Sequence, residues 1–207
     1  MHFAAARILL FAKAPVPGQV KTRLIPSVGA QRAAEIYRTL LERVIEEATR
    51  EIASVEIWCA PDTRHAVFQT VVGNPSITLR TQTTGDLGQR MAYAARQALT
   101  GSEMVLLIGG DCPELKAEHL RRALTWLDAG VDAVLGPAED GGYVLLGLRR
   151  MNWQLFCDIP WGADQVLNIT RQRLAQLGWN WRELEPLWDL DREADLERYL
   201  RLSGVAQ

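Results

Sequence analysis

Apolar runs of strand length alternate along this chain with segments whose apolar positions recur every three or four residues. RILLFA at 7–12, SVEIWCA at 54–60, SITLRTQ at 76–82, EMVLLIG at 103–109, DAVLGPA at 132–138 and YVLLGL at 143–148 read as strands. The run at 103–109 is almost wholly apolar, as in a strand covered on both faces. Between 29 and 50, Ala34, Tyr37, Leu41, Val44, Ile45 and Ala48 follow i, i+3, i+4 spacing and predict a long amphipathic helix. Helices are also predicted over 63–72, with Asp62 as its cap, and over 87–99, 117–127, 164–177 and 192–202.

This alternation predicts an α/β fold, a mainly parallel sheet with helices on both faces. One connection differs. Only a tight turn at Gly141 and Gly142 separates 132–138 from 143–148. That is too short for a parallel crossover, so this pair is predicted antiparallel. The sequence shows no repeat, low-complexity tract or linker, and 207 residues suit one domain spanning 1–207. On such sheets ligands bind beyond the carboxyl ends of the strands, so the chemistry is expected in the loops there.

Bulk properties narrow the partners. The net charge of −2 lacks the basic excess of nucleic-acid binding. Cys59, Cys112 and Cys157 are too far apart for a CxxC zinc site, and they suggest no disulfide framework. A reducing cytoplasm fits them. The apolar N-terminal stretch is too short to span a membrane and is broken at Lys13 and Pro15, so it reads as the first strand. His2, His65 and His119 lie apart, which argues against a histidine zinc site.

Three loops carry candidate chemistry. The first strand runs into AKAPVPGQVKTRL (12–24), where Lys13, Lys21 and Arg23 gather cations, Thr22 offers a hydroxyl and Gly18 permits close backbone approach. Such a loop is either a phosphate site or a solvated basic loop; its prolines favour a preorganised site. It matches neither the Walker pattern nor GxGxxG, and it is expected outside the core. After 103–109 comes Gly109-Gly110-Asp111-Cys112-Pro113. Asp111 there either caps a turn or holds Mg²⁺ or Mn²⁺ against a diphosphate. The third loop is Glu139-Asp140-Gly141-Gly142-Tyr143. Asp140 is read as a second metal ligand, a hydroxyl acceptor or a general base, or else as part of a plain Asp-Gly turn.

Two further stretches stay open. In Gly85-Asp86-Leu87-Gly88 the helix N-terminus either receives a phosphate, with Gly85 and Gly88 giving access, or is capped by Asp86. In Trp188-Asp189-Leu190-Asp191, Asp191 reads as the N-cap of the last helix, while Asp189 reaches the site from behind. Trp161 is either a wall for an acceptor, beside Gly141, Gly142 and Tyr143, or core filler.

Four segments in this order, FAKAPVPGQVKTRL (11–24), GDLGQRM (85–91), LIGGDCPEL (107–115) and GPAEDGGYVLLGL (136–148), resemble the radical-SAM/selenodomain-associated transferase family, whose members carry a provisional glycosyltransferase label. The resemblance covers nearly the whole chain. That family is similar to the GT-A-like nucleotide-diphospho-sugar transferases. Lys21-Thr22-Arg23-Leu24 also resembles the K-S/T-R-L run of phospholactate guanylyltransferases. WDLDREADL (188–196) resembles the D-x-D-T-P-E-D-L ending of several nucleotidyltransferases, with Arg192-Glu193-Ala194 in place of T-P-E. The resemblance implies a Rossmann-like, GT-A-like three-layer sandwich, a nucleotide or nucleotide-sugar donor, a small-molecule acceptor and a divalent metal on Asp111. The expected activity is glycosyl transfer from an NDP-sugar, the alternative nucleotidyl transfer from an NTP to a phosphorylated or acidic small molecule. In either case Lys21 acts on the phosphates and Asp111 carries the metal, while in glycosyl transfer Asp140 binds a sugar hydroxyl or deprotonates the acceptor.

Overall fold

The computed structural model describes residues 2–203. Strands β1 (Ala6–Lys13), β2 (Ser54–Ala60), β3 (Ile77–Thr81), β4 (Met104–Gly109), β5 (Ala133–Pro137), β6 (Tyr143–Leu148) and β7 (Trp181–Glu183) form one sheet in the order β3-β2-β1-β4-β6-β5-β7. β1 pairs parallel with β2 and β4, and β2 with β3. β6 runs antiparallel to both β4 and β5, and β5 pairs parallel with β7. The two-glycine turn therefore reverses a single strand. The carboxyl ends of β1, β4 and β5 share one edge with the amino end of β6.

Side-chain alternation divides the core between the two faces of the sheet. Ile8, Leu10, Leu106 and Ile108 pack with Leu41 and Val44 of α1 (Ile25–Ala48) and Leu120 and Leu124 of α4 (Ala117–Asp128). Leu9, Val105 and Leu107 pack on the other face with Met91 and Ala95 of α3 (Leu87–Ala98) and Leu174 of α5 (Val166–Gln176). The result is the three-layer α/β sandwich expected, with β4 covered on both faces. A third cluster joins Leu24, Ile36 and Leu40 to Trp188, Leu190 and Leu196. It fastens the chain before the last helix, α6 (Glu193–Ser203), against the end of the basic loop.

Four local expectations are corrected. The short helix spans only Ala66–Gln69 (α2), capped by His65, whose Nδ1 accepts from the Val67 N–H. Asp62 instead accepts from the backbone and guanidinium of Arg64, so it is spent before a helix begins. β7 is absent from the sequence reading, because a three-residue strand holding one arginine and one glutamate has no legible period. The long helix runs over Ile25–Ala48 and so begins before the expected start, with a kink at Gly29, whose φ of 79° is non-helical. Asp191 does not cap α6: the Asp195 carboxylate accepts from the Asp191 and Arg192 N–H groups, leaving the Asp191 side chain elsewhere.

Leu106 is fully buried at the centre of β4. Leu106→Ala is expected to lower unfolding free energy by about 2–5 kcal/mol through lost transfer energy and an unfilled cavity. Urea titration measures this, and a loss near zero would show that β4 is not central to the core.

Candidate active site

β1 delivers the basic loop to the shared edge. Its backbone is held by Ala14 N–H on Ala60 C=O, Gln19 N–H on Val16 C=O and Leu24 N–H on Lys21 C=O. Lys21 itself adopts a left-handed conformation, φ 45° and ψ 43°, just before a short 3₁₀ turn, Thr22–Leu24. That twist carries its side chain inward. The Lys21 side chain is only 5% exposed, and its Nζ donates to Asp111 Oδ2 at 2.9 Å, with Asp191 Oδ1 at 3.8 Å. The expectation of a loop outside the core therefore fails at Lys21, the residue with the most chemistry. Arg23 stays exposed and pairs with Asp191.

Asp111 follows β4 directly. Gly110 beside it packs closely under α1, where a Cβ would meet Leu41 Cδ1 at 2.8 Å and displace that side chain. Cation and carboxylate are thus in contact rather than on opposite rims. Burial alone would lower the Lys21 pKa, but the charge of Asp111 and its hydrogen bond outweigh that and hold it above the usual lysine value. Burial likewise favours a neutral Asp111, and Lys21 overrides it, keeping the carboxyl below the usual range. Both groups stay ionised because each has the other.

The C-terminal segment closes the site. Leu187 N–H donates to Pro137 C=O, Glu139 N–H to Leu187 C=O, and Leu190 N–H to Asp111 C=O. Between these points Asp189 faces the cleft. Its carboxyl is pushed up to about 6, first by burial and then by the charges of Asp111 and Asp140. Asp140 Oδ1 accepts from the Gly142 N–H at 2.9 Å, the turn hydrogen bond that its sequence context suggests. Gly141 cannot be replaced without movement, since its φ is 90° and a Cβ would lie 2.1 Å from Asp164 C=O.

These groups line one cleft with two compartments that share Phe11, Leu87, Gly109, Asp111, Trp161 and Gly162. The larger, about 570 Å³, is polar and holds Lys13, Lys21, Thr22 and Arg23, joined by Gln82 and Arg90. The smaller, about 230 Å³, holds Asp140, Gly142, Tyr143 and Asp189 over an apolar floor. Trp161 stands edge-on to Tyr143, at 6.4 Å between ring centroids. Gly88 lies under Trp161: a Cβ there would meet Trp161 Nε1 at 2.6 Å and Phe156 C=O at 2.3 Å. Gly85, with φ 108°, forms the turn before Asp86, which caps α3 in a reciprocal pair with Gln89. Gly18 has a φ of 82° and open space at its Cα.

The sequence reading missed Gln82 and Arg90. Gln82 immediately follows β3 and donates to Ala12 C=O and Trp58 C=O, while Arg90 NH1 donates to Gln82 Oε1. Their signal was available: a polar residue at a strand's carboxyl end, and a cation in the first turn of the next helix. Asp189 was undervalued because D-x-D alone does not say which carboxylate faces the cleft.

Among the described residues no three carboxylate, histidine or cysteine side chains converge as a ready metal site. A magnesium-like ion needs fewer protein ligands, commonly one or two carboxylates with phosphate oxygens completing the shell. The mutual repulsion recorded at Asp189 is an excess of negative charge that such an ion would relieve. The residues therefore fit a divalent cation brought with a phosphate ligand.

The family described as "Uncharacterized protein conserved in bacteria (DUF2064)" matches residues 43–163. The chain belongs to this family. The DUF2064 chain is 32% identical to a protein from Desulfovibrio desulfuricans G20, provisionally assigned as a nucleotide-diphospho-sugar transferase, whose crystal structure it matches with a TM-score of 0.88 over 99% of this chain and 90% of that one. At 15% identity and TM-score 0.60 it matches CMP:2-keto-3-deoxy-manno-octonic acid synthetase complexed with CTP, over 97% and 99% of the two chains. At 11% identity and TM-score 0.61 it matches 4-diphosphocytidyl-2C-methyl-D-erythritol synthase from Anaerococcus prevotii DSM 20548, over 96% and 99%. The last two share the fold alone. No curated protein matches the chain.

Asp189 also makes the site pH-sensitive. A carboxyl raised in the folded state contributes stability that is fully present below its ordinary value of 3.8 and lost as pH rises through about 6. Asp189→Asn mimics the protonated form. It is expected to raise Tm at pH 8, by about 2–4 °C if 1 kcal/mol is recovered, and to change little at pH 4. Differential scanning calorimetry at both values decides; equal shifts would remove the electrostatic cause.

Proposed function

We propose that this DUF2064 chain is a metal-assisted transferase that takes a nucleotide-activated donor, with glycosyl transfer from an NDP-sugar as its reaction. The observation that carries this reading is the charge division of the cleft at Asp111: Lys13, Lys21, Arg23 and Arg90 line one compartment, against Asp191 and the shared Asp111, and carboxylates over an apolar floor line the other. A diphosphate matches the first compartment, and the group transferred lies where the two meet. The shared family with the Desulfovibrio protein supports the nucleotide-sugar assignment. The motif resemblance to radical-SAM-associated transferases points the same way, and that to phospholactate guanylyltransferases points to nucleotidyl transfer. A single domain over the whole chain suffices for such a site.

In this mechanism Lys13, Lys21, Arg23 and Arg90 bind the diphosphate and stabilise the negative charge that grows on it. Asp111 and Asp189 would hold a divalent ion such as Mg²⁺ or Mn²⁺, which would offset the charge of the leaving diphosphate. Asp189 takes this place in preference to Asp140 because the Leu190 N–H on Asp111 C=O fixes its segment against Asp111, while one oxygen of Asp140 is held by the Gly142 N–H. The acceptor oxygen bonds to the anomeric carbon as that carbon's bond to the phosphate oxygen breaks. The electron pair leaves with the nucleoside diphosphate, and the acceptor proton passes to Asp140, whose second oxygen is not held by the turn. Lys21 releases Asp111 as it turns to the phosphate, so donor and cation bind together.

Nucleotidyl transfer is the second reading, and the density of cations around Lys21 favours it, because a triphosphate carries more charge than a diphosphate. A panel of NDP-sugars and NTPs with Mg²⁺ separates the two. Nucleoside diphosphate release supports the first reading, pyrophosphate release the second, and neither product removes the transferase reading.

Two substitutions sharpen the test. Arg23 is exposed, so Arg23→Ala is expected to raise the donor KM about tenfold at unchanged Tm, the size of one lost charge-assisted contact. Lys21→Met is expected to lower kcat by about 10²-fold or more, and also to lower Tm because Asp111 loses its partner. Steady-state kinetics with calorimetry checks both; full activity in Lys21→Met would exclude Lys21 from the reaction.

A further inference from the structure

The smaller compartment constrains the acceptor. Its floor and walls come from Phe11, Met91, Leu107, Val144, Val166 and Trp161. Asp111, Asp140 and Asp189 stand on its polar side, and among the described residues no lysine, arginine or histidine lines it. A volume of about 230 Å³ accommodates one ring with short substituents rather than an oligosaccharide. Hydroxyl groups spread around a polyol would face apolar carbon over most of this surface and lose their hydrogen bonds to water without replacement. A phosphate or carboxylate would face Asp140 directly, because Lys21 is held by Asp111 and a cation on Asp111 and Asp189 would be shared with the donor's diphosphate.

We propose that the acceptor is an uncharged alcohol whose hydroxyl is carried on an apolar ring or branched hydrocarbon body, and that polyols and anionic acceptors are rejected. This inference rests on the transferase reading above. The hydroxyl of such an acceptor sits toward Asp140 while its body fills the floor between Val144, Val166 and Trp161. Both faces of that selection come from the fold. β4 and β6 contribute Leu107 and Val144 from within the sheet, and the two-glycine turn sets Asp140 above them.

The test is a titration of the whole protein, without Mg²⁺ or donor, against two matched pairs of probes, followed by calorimetry or ligand-observed NMR. Cyclohexanol and inositol share a six-membered ring and differ in hydroxyl count; para-methylbenzyl alcohol and para-hydroxymethyl benzoate share a shape and differ in charge. The first of each pair is expected to bind at least about tenfold tighter. Val166→Thr keeps the side-chain shape and adds a hydroxyl to the floor. It is expected to weaken para-methylbenzyl alcohol several-fold, with Tm shifted by no more than a few degrees. Equal or tighter binding of inositol or of the benzoate overturns the proposal, as do binding of none of the four and unchanged affinity in Val166→Thr. Adding Mg²⁺ and an NDP-sugar separates this failure from failure of the function. Donor turnover without the alcohol preference overturns the acceptor class alone, and the preference without any donor turnover overturns the transferase reading alone.

Discussion

The contact between Lys21 and Asp111 is the interaction around which the site is organised. Neither ion tolerates its position alone, because burial disfavours the charged form of each. Their pairing joins the loop after β1 to the loop after β4, ninety residues apart in the chain. It also sets a condition on any ligand. Whatever binds Asp111 must share it with Lys21 or supply Lys21 with another anion, and a phosphate with its accompanying cation does both.

The strand order gives this pair its surroundings. β1 and β4 are neighbours although β2 and β3 lie between them in the chain, so the crevice opens where the winding of the sheet changes direction. The reversal of β6 then places the Asp140 turn beside Asp111 at the same edge. The C-terminal segment completes the enclosure through bonds to Pro137 and Asp111 and through Arg198, which donates to Glu139 at 2.8 Å and lies 4.5 Å from the Trp188 ring centroid. One side of the cleft thereby collects cations, and the other collects carboxylates over apolar carbon.

Much of this was legible before folding. β1, β2 and β4 announced themselves as apolar runs, α3 and α4 as periodic segments, and the reversal of β6 followed from a connection of too few residues for a crossover. The three chemical loops were found because they hold unlike residue types in fixed order. The misses share one cause. β7, the start of α6 and the cap of α2 are short features decided by single long-range hydrogen bonds or by competing nearby carboxylates, and no period records those.

The sequence by itself determined the layers, the direction of the strands and which loops bear charge, because burial and chain length act locally and leave periodic traces. Only the tertiary structure decided that Lys21 is buried, that Asp191 faces cations while Asp195 caps the helix, that Gln82 and Arg90 join the basic side, and that Asp189 shares a compartment with Asp111 and Asp140. Those outcomes depend on which charge meets which across the sheet edge. Electrostatic energy is set by distance and burial in three dimensions, and neither is written in the order of residues.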